Sequence, residues 1–281
     1  MKVKQQLMKQ INLILLLLVL GYFTNAQDAE KTDAGKPAGG DAQELADKLA
    51  NPVASLISVP LQSNVDYGIG PYKGSKYTLN VQPVIPFKLN SKLNLITRYI
   101  VPVVDQHNIS GPDKNEFGLS DATISGFFSP THSKNGIIWG AGPAFLVPIG
   151  TNEFLSGKKW GVGPTALVLK QSPGLTFGFL ANQIWSFAGA SDRSDINQMF
   201  LQPFFTHNWK SGAGLGINAE ITANWHAKTT TAFINPILTG ITKLGKQIVS
   251  LGVGPRIPVA APTDFKTDFG LRGVITFVFP E

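Results

Sequence analysis

The stretch Gly214-Leu215-Gly216-Ile217-Asn218-Ala219-Glu220-Ile221-Thr222-Ala223-Asn224-Trp225 decides how this chain is read. Leu215, Ile217, Ala219, Ile221, Ala223 and Trp225 take one set of alternate positions; Gly216, Asn218, Glu220, Thr222 and Asn224 take the other. A period of two held this long describes an extended strand with one apolar and one polar face. In Tyr77 to Lys88, Tyr77, Leu79, Val81, Ile85 and Phe87 likewise oppose Thr78, Asn80, Gln82 and Lys88. Gln198, Gln202, Thr206 and Asn208 oppose Met199, Leu201, Phe205 and Trp209. Ser250, Gly252, Gly254 and Arg256 oppose Val249, Leu251, Val253, Ile257 and Val259.

Working outward, segments of this kind begin near Ala54, Tyr77, Leu93, Phe117, Ile137, Trp160, Leu175, Ile196, Gly214, Ala232, Ile248 and Phe269. The turn-forming clusters between them alternate in length: Gly68 to Lys76 is long and Asn90 to Lys92 short, while Gly150 to Lys159 is long and Pro173 to Gly174 short. An even number of strands joined this way predicts an all-β, transmembrane, antiparallel up-and-down β-barrel of about 12 strands. A soluble β-sandwich also alternates, but its strands run nearer five or six residues. Strands of about ten residues, tilted by roughly 45°, cross the hydrocarbon of a bilayer. Tyr77, Phe87, Trp139, Trp160, Trp185, Trp209 and Trp225 fall near segment ends, where interfacial aromatic girdles sit.

The rest of the chain agrees. Lys2, Lys4 and Lys9 precede the apolar run Ile11 to Phe23 and then Thr24-Asn25-Ala26, the pattern of a secretory signal peptide over 1–26. The run is short for a membrane anchor. Residues 27–50 read as a disordered tether in which Ala42 to Ala50 has the composition for two helical turns, ended by Pro52. The barrel then occupies 51–281. Charged residues make up 15%, against roughly 25% in soluble domains. The absence of cysteine excludes disulfides, thiol chemistry and thiolate zinc sites. The net charge of +6 falls to +3 without the three leader lysines, too little and too scattered for nucleic acid.

With the apolar faces turned to lipid, the inward set is Gln62, Asn64, Asp66, Asn80, Gln82, Arg98, Asp121, Thr123, Asn218, Glu220, Arg256 and Arg272. The pore-lining candidates are Asp66, Gln82, Arg98, Asp121, Glu220, Arg256 and Arg272. Asp66 on the first strand is expected to meet Arg272 on the last, and Arg98 to neighbour Asp121. Such pairs build a selectivity constriction, or they fill and knit a narrow lumen; at twelve strands both readings stand equal. Pro83, Pro86, Pro102, Pro143, Pro148, Pro164, Pro203, Pro236, Pro255 and Pro258 fall inside predicted strands. Each is expected to cause a bulge, kink or lost bond, and some of these strands are expected to bend inward, narrowing the interior or opening a side exit toward lipid.

Catalytic machinery is not expected. Of the four histidines His107, His132, His207 and His226, only His107 lies among suitable types, with Asp105, Asn108 and Ser110. No serine motif or metal-ligand spacing accompanies it. Neither a catalytic residue nor a metal or cofactor is assigned; a lipid-modifying hydrolase and a plugged structural barrel are the alternatives to a channel.

Two resemblances add to this. Leu271, Gly273, Ile275, Phe277 and Phe279 share one face, which resembles the closing strand of bacterial outer-membrane proteins, whose terminal aromatic is read by the insertion machinery; here Pro280 and Glu281 follow it. The phrase Asn51-Pro52-Val53-Ala54-Ser55-Leu56-Ile57-Ser58-Val59-Pro60, the strand Gln82-Pro83-Val84-Ile85-Pro86-Phe87, the stretch Asn94-Leu95-Ile96-Thr97-Arg98 and the repeats Gly140-Ala141-Gly142-Pro143, Gly161-Val162-Gly163-Pro164 and Gly252-Val253-Gly254-Pro255 resemble a family of outer-membrane transporters. That family is often labelled with the meta-pathway of phenol degradation, and its members are sometimes misnamed neuromedin U. The resemblance covers nearly all of Asn51 to Phe279. It implies a barrel in the outer membrane of a Gram-negative bacterium that passes small molecules, and it supplies no catalytic residues. The implied partners are outer-membrane lipid, a small-molecule permeant and the insertion machinery.

Overall fold

The computed structural model describes residues 39–279; the leader over 1–26 and the tether up to residue 38 lie outside the described residues. One helix, α1 (Gly39–Leu49), precedes the strands β1 (Ile57–Ile69), β2 (Gly74–Val81), β3 (Val84–Lys88), β4 (Leu93–His107), β5 (Asn115–Leu119), β6 (Ala122–Pro130) and β7 (Ile137–Val147). The sheet continues with β8 (Lys159–Ser172), β9 (Leu175–Gly189), β10 (Asn197–Asn208), β11 (Ala213–Asn224), β12 (Thr229–Leu244), β13 (Gln247–Ala260) and β14 (Phe269–Phe279). Every pairing is antiparallel, and β14 returns to β1 in continuous register from Ile57↔Phe279 to Tyr67↔Phe269, so the sheet closes without an edge.

Two wall crossings are each made of two segments. β2 and β3 hold one register against β1 (Leu61↔Val81, Ser58↔Val84) and against β4 (Val81↔Val101, Val84↔Arg98), so they form one strand interrupted at Gln82 and Pro83. β5 and β6 pair with β4 in turn, shifted by one residue between Val103↔Leu119 and Ile100↔Thr123. The barrel is therefore closed by twelve strands, beginning close to the positions that alternation predicted. The end of the barrel where the chain enters and leaves is called the base, and the opposite end the rim. The rim connection over 70–73 is shorter than the stretch from Gly68 to Lys76 had implied, because strand pairing runs to Ile69 and resumes at Gly74.

The exterior is apolar. Leu215 (44% exposed) and Ile217 (45%) on β11 and Val259 (59%) on β13 stand outward. All five tryptophans face outward near strand ends: Trp139 and Trp209 toward the base, Trp160, Trp185 and Trp225 toward the rim. A continuous belt of this kind exceeds the few hundred Å² of apolar patch that water-soluble monomers carry, and acyl chains are the solvent that suits it. No helix among the described residues is long and apolar enough to cross a membrane.

The prolines interrupt pairing, and at Pro143 and Pro164 the register runs on past them. Pro148 lies just past β7. Pro143 and Pro164 face each other in a β7–β8 register that runs through unbroken. On their other sides pairing lapses briefly and resumes in the same register, between Ser125↔Ala144 and Phe128↔Ala141, and between Val162↔Trp185 and Thr165↔Asn182. Pro258 adjoins the register shift between Ala232 and Phe233, and Pro102 lies within the one-residue shift where the partner of β4 passes from β5 to β6. Proline lacks a donor, so what it frees is a neighbour's carbonyl. A Cβ added at Gly142, Gly163 or Gly254 would lie 2.0 Å from Gly126 O, 1.7 Å from Gln183 O and 1.9 Å from Pro236 O. Each glycine before a proline is thus bare because the carbonyl that lost its partner lies over its inward side. This accounts for the repeated Gly-x-Gly-Pro phrase.

Candidate functional site in the barrel interior

The interior begins with charge placed by the closing seam. Asn64 and Arg272 are direct register partners across β1 and β14, and Arg272 Nε donates to Asn64 Oδ1 at 2.8 Å. Its second donor, Nη2, reaches Glu220 Oε2 on β11 at 2.8 Å. Arg256 on β13 donates to the same Glu220 oxygen at 2.6 Å, to Asp66 Oδ1 at 3.1 Å and to Asn235 Oδ1 at 3.3 Å, and lies 3.6 Å over the Phe233 ring. Gly270 separates Asp66 from Arg256 in the register; a Cβ there would sit 2.5 Å from Asp66 Oδ1, so the missing side chain lets the pair meet. Asp66 therefore pairs with Arg256 rather than with Arg272 as expected, because Arg272 is opposite Asn64 and one row away.

The opposite wall is apolar. Ile96, Phe127, Leu167, Leu169 and Leu180 are buried together and surround Val53, which the linker after α1 places inside the barrel. The expectation of a uniformly polar interior fails here: apolar side chains fill this arc because protein, in the form of Val53, occupies the space that water would have taken.

α1 closes the base. Ala42 and Ala46 are buried, and the helix packs against β10, β11 and β12. Asp47 accepts hydrogen bonds from Gly174 N and Asn208 Nδ2, each at 2.9 Å, while Gln43 Nε2 donates to Asn208 O at 2.9 Å and Gln171 Nε2 to Asp47 O at 2.7 Å. Gly174 takes φ 75°, as the second central residue of the Pro173–Gly174 turn requires, and this brings its N–H under the helix. Among the described residues, two cavities lie inside the barrel. The lower, ≈ 290 Å³, lies between α1 and the wall; the upper, ≈ 350 Å³, opens toward the rim, and Arg98 lines both.

At the rim, Asp121 accepts from Gly150 N (3.2 Å), Ser156 Oγ (2.5 Å) and Gly157 N (2.7 Å), so it anchors the loop over 148–158. Although Asp121 and Arg98 both line the upper cavity, they form no ion pair; Arg98 Nη2 donates instead to Gln82 Oε1 at 2.8 Å. The His107 ring is engaged by Asn115 Oδ1 and lies 3.3 Å from Asp105 Oδ1, while Ser110 bonds Glu116. Serine and histidine are thus directed to different partners.

Against solved structures, the COG4313 outer membrane channel from Pseudomonas putida F1 matches over 80% of this chain and 96% of its own, with a TM-score of 0.64 and 15% sequence identity. The fold is that of an outer-membrane barrel. The transport unit of the autotransporter AIDA-I from Escherichia coli (TM-score 0.44, 12% identity, 88% and 99% covered) and a bacterial polysaccharide outer membrane secretin (0.36, 12%, 80% and 99%) also match. No family model matches the chain, and no curated protein matches it.

Within this barrel, six of the seven candidates gather in the interior on β1, β4, β11, β13 and β14 and at the interruption between β2 and β3, with Asp121 nearer the rim loop. Sequence reading missed Asn235, fully buried and bonded to Asn218 and Arg256; a lone Asn in the apolar run Phe233-Ile234-Asn235-Pro236-Ile237 was the available signal. It also missed Val53 and the docking residues Gln43 and Asp47. No periodicity marks those, since their partners are distant in sequence.

Proposed function

We propose that the chain is an outer-membrane channel of a Gram-negative bacterium for passive passage of small molecules, held shut at its base by α1. The observation that carries this is the pair of cavities inside a closed, externally apolar barrel, meeting at Arg98 and covered below by a helix held through four side-chain hydrogen bonds. The likeness to an outer membrane channel supports the same reading. Asp66, Gln82, Arg98, Glu220, Arg256 and Arg272 are the proposed interior lining that a permeant meets, with β14 addressing the insertion machinery and the outward belt addressing lipid. The phenol label of the resembled family assigns no substrate; size and polarity of the interior do that. The docked helix also favours a second reading, a permanently plugged structural barrel. Single-channel recording in planar bilayers separates the two. The mature chain is expected to show rare, small steps, and removal of residues 27–50 frequent, larger ones. Silence from both proteins contradicts the channel, and identical steps contradict the role given to α1.

A further inference from the structure

The lower cavity carries an unbalanced charge. Its lining includes two ionisable side chains, Lys48 and Arg98, and both are cationic. Lys48 is turned to the surface and paired with Glu44 at 2.8 Å. Arg98 is different. The two other interior arginines are neutralised by Asp66 and Glu220, and Glu220 is taken up by both at once. Arg98 makes no ion pair among the described residues; its contact is the neutral Gln82 oxygen. A guanidinium offers five N–H donors in a fixed fork, and one hydrogen bond leaves most of them for a further acceptor. Arg98 and Val84 are register partners on adjoining strands, so the charge is flanked by apolar surface on the same face, and Phe204 and Ile237 line the cavity with it. One cation that touches no carboxylate, with Glu220 acting on it only at longer range, beside an apolar enclosure is complementary to a molecule with an anionic end and a greasy body. The volume, ≈ 290 Å³, is at the small end of ligand cavities.

We propose that this cavity binds a small organic monocarboxylate, its carboxylate on the Arg98 guanidinium and its apolar body against Val84, Phe204 and Ile237. Planar carboxylate matches the guanidinium fork, and the pair is formed away from bulk water, where charge-assisted bonds are strong. The inference deepens the channel reading by naming the class of molecule that lingers inside.

The test is calorimetric titration of the detergent-solubilised mature chain with hexanoate and with its neutral isostere hexanamide. Hexanoate is expected to bind at least about tenfold more tightly. Arg98→Gln removes that preference, and Arg98→Lys, which keeps the charge without the fork, retains part of it. Equal binding of the two probes, no saturable binding of hexanoate, or a preference that survives Arg98→Gln overturns the proposal. Should Arg98→Gln fail to fold, the comparison of hexanoate with hexanamide on the unmodified chain and on Arg98→Lys decides it. Conductance measured on the same preparations keeps the two ideas apart: steps without hexanoate binding retire the site alone, and binding without steps retires the channel alone.

Discussion

Two arcs of one wall face the same interior and are built oppositely. From β11 through β14 to β1 the inward side chains include Asn218, Glu220, Asn235, Arg256, Arg272, Asn64 and Asp66, joined strand to strand by hydrogen bonds. From β4 to β9 they include Ile96, Phe127, Leu167, Leu169 and Leu180, packed around Val53. The first arc is held by directional, charged contacts that lose heavily when one partner goes; the second is held by volume. The difference teaches that a barrel interior follows whatever fills it: a polar network spans the closing seam, and the greasy linker before β1 occupies the rest.

The sharpest way to break this comparison is Glu220→Ala. It strands two arginines that share one acceptor, at a cost of about 3–5 kcal/mol. The expected readout is a lower urea midpoint and loss of the heat-resistant folded band on gels; a change under about 1 kcal/mol contradicts the network. In the apolar arc, Leu167→Ala is expected to cost about 2–4 kcal/mol through the cavity it leaves. Its urea midpoint should fall by the same amount at low and high salt, since no charge is involved. Gly254→Ala, where a Cβ meets Pro236 O at 1.9 Å, should cost about 1–3 kcal/mol, while alanine at Gly240, with open space around it, should cost much less. The smallest effect is at the rim. Lys159 hydrogen-bonds Asp195 at 3.0 Å and holds its carboxyl below the ordinary value of 3.8. A depressed carboxylate stabilises the fold above its ordinary value and ceases to do so as pH falls through the depressed one. Normalised amide exchange in residues 190–196 should therefore rise on acidification below that value, and Asp195→Asn should abolish the pH dependence.

The same two arcs explain what was legible. β11 announces itself because Leu215 and Ile217 meet lipid while Asn218 and Glu220 meet a polar network, so hydropathy differs between its faces. In β8 the inward Leu167 and Leu169 alternate with the outward Ala166 and Val168, and hydropathy is flat although the strand is regular. Strand count, strand starts and most inward residues followed from alternation and turn chemistry. The partner of Asp66 did not, because pairing depends on a register that single-sequence periodicity leaves free by one row. The mid-strand prolines pointed to disturbed pairing; their preceding glycines carried the information that the freed carbonyls are covered and the register is kept. α1 was visible as a short helix, but its docking rests on Gly174 and Asn208 in turns far along the chain.

The placement of the five tryptophans tests the account most directly, since all of them stand outside the barrel and none inside. The measurement is quenching of tryptophan fluorescence by lipids brominated at defined acyl-chain depths, in vesicles that contain the mature chain. Strong quenching that is greatest for bromines near the head groups is predicted, with little effect of aqueous iodide. Fluorescence untouched by brominated lipid and readily quenched by iodide would contradict it.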